Sequence, residues 1–415
     1  MSDLGVNRAT KAGVSGASGG CRVAIVADDL TGALDAAAPF AARGADARVV
    51  ISLEALEGAL SGWEGAWPHV IAVNTESRHL SADLAAERVD RATRCLSRTA
   101  PTAWFKKIDS TLRGQVVAEC IAMREATGRP LLLVPAVPAQ GRLVRDAEVW
   151  VDGVPLAESA YRTDARSPPL LGPLDRAFGA AGVRLFRLVR DSLALPAGDG
   201  VADAESDRDI ALLYDALLRA GIPRLLVGAA GLATAMAQRC FGPLQAGHRP
   251  LGSIHRVLYA MGSRSPRASE QLARLIDQAP SLPVTQALGG EVPVLSEAAT
   301  VLIPGEPSPA GSGGTATTAS DVARAMAEGV VTVTRSWSGG GEGLLFLSGG
   351  DIAMAVLTRL GVTSIHVEAE WSSGVALGIL DGHPARRVMT KAGGFGEALL
   401  LARLHRQLSA GLGAG

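Results

Sequence analysis

With 415 residues, 47% of them hydrophobic, the chain is too long for one small core and long enough for two well-buried domains. Its 40 basic and 41 acidic residues leave a net charge of −1, which excludes a global field drawing the protein to nucleic acid or an anionic membrane and points to a small-molecule partner. Cys21, Cys95, Cys120 and Cys240 are scattered, with no Cys-x-x-Cys pair and no His at ligand spacing, which excludes a disulfide framework and a structural zinc site and fits reduced cytoplasmic thiols.

Residues 1–20, rich in Gly, Ser and Ala and without an apolar core of signal-peptide length, read as a mobile tail, and no run approaches a membrane span. Val23-Ala24-Ile25-Val26-Ala27 is a buried strand, and Asp28-Asp29-Leu30-Thr31-Gly32-Ala33 turns from it into a helix that carries Asp35 and stops near Gly44. Ligands of open α/β sheets bind at that edge. One Asp at such a junction commonly caps the helix, but a cap needs only one side chain. Asp28 and Asp29 together are therefore candidates to hold a polyhydroxylated ligand or to accept a hydroxyl proton.

A second strand at Ala47–Ile51 and a third at Val70–Val73 follow, and the exit of the third places Asn74, Thr75, Ser77 and Arg78 on the same edge. Ser81 opens a helix whose Leu84, Ala85, Val89 and Ala92 recur at helical spacing, so the rhythm is βαβ and the sheet mostly parallel. Trp104-Phe105-Lys106-Lys107-Ile108-Asp109-Ser110-Thr111-Leu112-Arg113-Gly114 crowds cations, an acid and hydroxyls at another strand exit, before a helix from Gln115 to Ala126. Such a cluster can grip a carboxylate or phosphate while its hydroxyls bind sugar OH groups. The strand Leu131–Val134 leaves through Pro135 to Arg142, which puts Arg142 where it can face a ligand. Asp152-Gly153 between alternating residues predicts a hairpin. A helix from Ser206 and a strand-turn-helix from Leu225 to Ala233 complete a first domain, residues 21–245.

Residues 241–252 read as a linker to a second domain, residues 253–410. There Val257–Met261 leads through Gly262-Ser263-Arg264-Ser265 to a helix opened by Ser265 and Pro266, a candidate phosphate site. Residues 305–319 form a low-complexity surface loop. Leu344–Leu347 turns through Ser348-Gly349-Gly350-Asp351 into a helix, where backbone amides can approach an anion without a Cβ in the way. The spacing is neither a Walker A loop nor a dinucleotide fingerprint. Val388–Lys391 ends in a second glycine-rich turn, Ala392-Gly393-Gly394-Phe395-Gly396, followed by a closing helix, and two such exits in one small domain point to a nucleotide.

In this order, the Asp28-Asp29-Leu30-Thr31-Gly32-Ala33 and Lys107-Ile108-Asp109-Ser110-Thr111-Leu112-Arg113-Gly114 motifs, the Gly153-Val154-Pro155-Leu156 hairpin, Gly262-Ser263-Arg264-Ser265, Ser348-Gly349-Gly350-Asp351 and Thr390-Lys391-Ala392-Gly393-Gly394-Phe395-Gly396 resemble the four-carbon acid sugar kinase family. The resemblance runs from about Arg22 to Leu404. It implies an N-terminal domain that binds the sugar acid and a C-terminal domain that binds ATP, with Mg²⁺, and phosphorylation of the 4-hydroxyl of threonate, erythronate or an oxo-tetronate. By position, Asp28, Asp29, Lys107, Asp109, Ser110 and Arg113 line the acid site, with Arg142 helping, and Ser263, Ser265, Gly349, Gly350, Asp351, Ile352, Gly393 and Gly394 line the nucleotide site. The expected base is Asp28 or Asp29, with Asp351 as rival. Ile352 stands where the family more often has a small polar residue, and Ala392 where Ser is common; the usual Pro-Gly pair is missing around Glu370 to Gly374. These departures leave a non-catalytic sugar-acid sensor of the same fold as the alternative. The identity of the acid, the Mg²⁺ ligands and a homo-oligomeric state stay open.

Overall fold

The computed structural model describes residues 21–164, 167–190, 195–245, 251, 254–288, 298–305, 318–335, 337, 342–409 and 412. The expected tail, most of the low-complexity loop and part of the expected linker lie outside these residues. The chain begins with β1 (Val23–Ala27), α1 (Leu30–Ala41), β2 (Ala47–Val50), α2 (Leu53–Trp63), β3 (Val70–Asn74), α3 (Ala82–Ser97), β4 (Ala103–Lys107), α4 (Val116–Thr127) and β5 (Leu131–Val134). A small antiparallel sheet comes next, β6 (Arg142–Arg145), β7 (Glu148–Val151) and β8 (Val154–Pro155). Asp152 and Gly153 join β7 to β8 with φ of 50° and 90°, the left-handed pair that a two-residue hairpin requires. The first domain closes with α5 (Leu174–Ala180), β9 (Phe186–Leu188), β10 (Gly200–Ala202), α6 (Asp207–Ala220), β11 (Leu225–Gly228) and α7 (Ala230–Phe241).

The second domain contains β12 (Ile254–Met261), α8 (Pro266–Gln278), β13 (Val284–Gln286), β14 (Ala299–Ile303), α9 (Ala319–Arg335), β15 (Glu342–Ser348), α10 (Gly350–Arg359), β16 (Ser364–Ser372), β17 (Val375–Leu380), β18 (Arg386–Lys391) and α11 (Leu400–Leu408). Among the described residues no helix is long and apolar enough to cross a membrane.

The first domain's strands run in the order β2-β3-β1-β4-β11-β5-β10-β9, parallel throughout. The second domain's order is β13-β14-β12-β15-β18-β17-β16, with β17 antiparallel to both neighbours. Antiparallel pairing of β16 with β2, from Ser364 opposite Val50 to Val367 opposite Ala47, joins the two into one 15-stranded sheet. In each domain the chain winds outward in both directions from one strand. β1 lies between β3 and β4, and β12 lies between β14 and β15. A crevice opens beyond the carboxyl ends of strands at such a switch point.

Helix α1 packs on β1, β2 and β3 of its own domain and on β16, β17 and α10 of the other. That position explains its sequence. Ten of its twelve residues are buried, and a helix apolar on all sides is one covered on all sides. Thr31 and Asp35 are the two that are not fully buried.

Candidate active site

The site grows from three strand tips of the first domain. Asp28 and Asp29 leave β1, Arg78 follows β3, and Lys107 and Asp109 end β4. Asp29 is the N-cap of α1, accepting from the Gly32 amide at 2.8 Å and from the Thr31 hydroxyl at 2.6 Å. A side chain on Gly32 would collide with the Asp29 carboxylate and crowd the Lys107 ammonium, so the glycine keeps both in place. Asp28 is buried, and Arg78 donates to both of its oxygens, Nε to Oδ2 at 2.6 Å and Nη2 to Oδ1 at 2.9 Å. The third nitrogen, Nη1, donates to Asp29 Oδ2 at 2.7 Å. Arg78 also stands 3.9 Å from Asp109.

Asp109 accepts from Arg113 Nη2 at 2.9 Å and Nε at 3.0 Å and from the Thr111 hydroxyl at 2.5 Å. Burial works to raise the pKa of Asp109, but Arg78, Arg113 and Thr111 outweigh it and hold the carboxyl far below the usual range. Asp29 is lowered too: burial opposes, and Arg78, Thr31, Lys107 and the Gly32 amide prevail. Arg78 is fixed as a cation by the three acids, against the cost of its burial.

Adjacent strand residues face opposite sides. Lys107 therefore reaches the cleft, where its Nζ is 3.9 Å from Asp35 Oδ2, while Lys106 turns away to a fully buried pair with Glu119 at 2.7 Å.

A narrow, partly open cleft is lined by Asp29, Thr31, Asp35, Arg78, Lys107, Asp109, Ser110 and Arg113 of the first domain. Gln140 joins them, and Glu370, Thr390, Ala392 and Phe395 face them from the second domain. Two expectations change. Asp28 does not line this cleft, because Arg78 covers its oxygens. Arg142 does not either, since its guanidinium donates to the Gln140 carbonyl and sits 5.1 Å from the centre of the Tyr161 ring. Sequence reasoning put Arg78 on this edge without assigning it a role, and it named Glu370 and Thr390 only within longer motifs, neither as a site residue. The signal for Asp35 was present, as the single charge in an otherwise apolar helix.

The second domain brings its glycine-rich turns to one place. Ser265 caps α8 through the Ala268 amide, and its hydroxyl donates to the Gly393 carbonyl at 2.7 Å. A Cβ on Gly393 would overlap the Ser263 hydroxyl, and one on Gly349, whose φ is 107°, would lie 3.4 Å from the Ser263 amide nitrogen. Lys391 donates to the carbonyls of Ala392, Gly393 and Phe395, bracing that loop, and burial with nearby Arg267 pushes its pKa down to about 8. Gly394 has open space beside it. The Ile352 side chain is buried against Gly262, so at that position only the backbone can meet a ligand. Asp351, in the first turn of α10, is 60% exposed and lies 3.9 Å from the His79 ring.

The two halves meet: a Cβ on Gly350 would lie 3.6 Å from the Thr31 hydroxyl and 3.7 Å from Asp29 Oδ2. The amide end of α10 thus abuts the acid and cation cluster directly. Such an arrangement can set an anion on backbone N–H groups beside a second, polyhydroxylated ligand.

Residues 23–236 match a family model described as "Sugar-binding N-terminal domain", and residues 258–401 match one described as "Nucleotide-binding C-terminal domain". The chain is 33% identical to a D-threonate kinase of Bordetella bronchiseptica, over 93% of this chain and 97% of that protein. It is 32% identical to a D-threonate kinase of Cupriavidus necator, over 91% and 95%. Identity to a 3-oxo-tetronate kinase of Methylobacterium radiotolerans is 28%, over 90% and 96%. The fold matches that of a Salmonella typhimurium protein with a TM-score of 0.71 at 19% identity, covering 93% of this chain and 99% of that one. A Haemophilus influenzae protein matches at 0.68, also at 19% identity, covering 91% and 98%.

Removing Arg78 takes away the one hydrogen-bond donor to the buried Asp28 carboxylate among the described residues. Arg78→Ala is expected to lose about 3–5 kcal/mol in a denaturation experiment, and Arg78→Lys to recover little, because a single ammonium cannot span both carboxylates. The folded-state pKa of Asp109 is below the unfolded value, so the stability it contributes is present above the ordinary carboxylate range and lost as pH falls below it. Denaturation midpoints measured from pH 6 down to pH 3 are expected to fall less steeply for Asp109→Asn than for the wild type.

Proposed function

The chain belongs to the four-carbon acid sugar kinase family, and from that premise we propose that it transfers the γ-phosphoryl group of ATP to the 4-hydroxyl of a four-carbon sugar acid such as threonate, erythronate or an oxo-tetronate. The observation that carries this reading is the contact between the two halves of the site, with Gly350 set against Thr31 and Asp29. Phosphoryl transfer needs little covalent chemistry from a protein; it needs the acceptor oxygen and the phosphorus held in line and the phosphate charge offset.

In this proposal Lys107 and Arg113 hold the acid's carboxylate, while Asp29, Asp109 and Ser110 meet its hydroxyls. Arg78 keeps Asp29 and Asp109 oriented, and Asp28 anchors Arg78 from behind. The amides of Gly349, Gly350, Gly393 and Gly394, with Ser263 and Ser265, receive the nucleotide phosphates. Ile352 donates only its amide there, which fits its buried side chain and removes the motive for reading that residue as a sign of lost transfer. Asp351 is an exposed carboxylate beside the glycine turn, a donor set that suits Mg²⁺, which keeps several waters and needs only one or two protein oxygens. Bound with ATP, Mg²⁺ would neutralise phosphate charge. Dependence on ATP fits a cytoplasmic enzyme.

The test is ADP release by the full-length protein with Mg-ATP against a panel of D- and L-threonate, D- and L-erythronate and 2- and 3-oxo-tetronates, with the product identified by phosphorus NMR. At least one acid is expected to support turnover of about 1–100 s⁻¹ and to yield a 4-phosphate ester. Binding of acid and nucleotide with no ADP release from any member of the panel would instead support the sensor reading.

A further inference from the structure

Helix α1 is covered by both domains, and Asp35 is its only charged residue. A carboxylate in such a setting is costly unless it is well paired. Asp35 is not. Its one ion pair, with Lys107 Nζ, is 3.9 Å long, beyond hydrogen-bonding distance, and among the described residues no donor reaches its oxygens.

The other carboxylates of the cleft are in the opposite condition. Asp28 accepts two hydrogen bonds from Arg78; Asp29 accepts from Arg78, Thr31 and the Gly32 amide; Asp109 accepts from Arg113 and Thr111. A carboxylate whose lone pairs are taken by cations and amides is a poor proton acceptor.

The groups facing Asp35 come from several elements. Lys107 and Asp109 end β4, Asp29 ends β1, and Glu370 of β16 faces the same cleft from the other domain. Burial raises the pKa of Asp35; Lys107 opposes this, and the charges of Asp29 and Asp109 add to it. Glu370 is pushed up as well, by burial and then by Asp35, while the Gly374 amide and Arg43 pull the other way. Asp35 thus combines access to the cleft, unoccupied lone pairs and raised basicity.

Resting on the kinase reading above, we propose that Asp35 is the general base of the transfer. Its carboxylate takes the proton of the acceptor hydroxyl as that oxygen bonds to the γ-phosphorus. The bond from the γ-phosphorus to the β,γ-bridging oxygen breaks, and its electron pair leaves with ADP. The proton passes from Asp35 to water once the product departs. Lys107 opposes the rise in the Asp35 pKa; Asp28 anchors Arg78 and Asp29 meets the substrate's hydroxyls, and neither is the base.

The experiment uses the full-length enzyme, Mg-ATP and the acid from the panel that the wild type turns over best. Asp35→Asn, close in shape to the native side chain, is expected to bind that acid as the wild type does, by calorimetry, while kcat falls about 10²–10⁴-fold. The acid limb of kcat against pH, present in the wild type, is expected to vanish in Asp35→Asn and to persist in Asp29→Asn and Asp351→Asn, whatever their rates. A kcat for Asp35→Asn within about tenfold of the wild type with the limb retained overturns the assignment, as does a limb that vanishes in Asp29→Asn or Asp351→Asn instead. Should Asp35→Asn not fold, Lys107→Met interrogates the same group: losing the cation that lowers the Asp35 pKa moves the limb to higher pH, and an unmoved limb overturns the proposal. A wild type that turns over none of the acids removes the kinase reading itself, and the base assignment falls with it.

Discussion

The structure depends on one guanidinium. Arg78 donates to Asp28 and Asp29 and stands beside Asp109, so a single planar group ties together the tips of β1, β3 and β4. Four carboxylates gathered at one sheet edge would repel each other and unfold that edge if left alone. Arg78 and Arg113 compensate three of them closely, and Lys107 compensates the fourth, Asp35, only at a distance. The arginine thereby sorts chemically identical side chains into different roles. In the proposed mechanism those it binds serve as scaffold and ligand holders, and the one it leaves out takes the proton.

The same logic of placement governs the glycine-rich side. The exits of β12, β15 and β18 lie next to each other because β15 pairs with both of the others, and each carries a glycine closely approached by a neighbour, Ile352 at Gly262 and Ser263 at Gly349 and Gly393. Lys391 and Ser265 then hold the loop after β18 by its carbonyls. Neither half is complete alone. The strand pair β2–β16 and the buried helix α1 hold them in register, which is why an alanine-rich helix with no amphipathic face is the right sequence at that place.

Much of this could be read from the residues. The strand exits after Ala27, Lys107, Ser348 and Lys391, the Asp152-Gly153 hairpin and the Ser265 cap are all local in sequence, and local chemistry settled them. What depends on partners distant in the chain was not legible. Asp28 and Asp35 look alike as letters, and only the approach of Arg78, some 50 positions from Asp28, separates them. Arg142 opens strand β6 rather than closing the exit of β5, and the Gln140 carbonyl and the Tyr161 ring take its guanidinium. The opposed facing of Lys106 and Lys107, in contrast, follows from strand alternation alone.

The central claim is that the cation and hydroxyl cluster of the first domain and the glycine turns of the second form one site. A crystal structure with a non-hydrolysable ATP analogue and the preferred acid tests it most directly. The account predicts terminal phosphate oxygens on the amides at Gly349 and Gly350, with the acceptor hydroxyl about 3–3.5 Å from the γ-phosphorus and within hydrogen-bond reach of Asp35. A nucleotide and an acid bound in separate cavities, with the acid's 4-hydroxyl turned away from the phosphate, would contradict it.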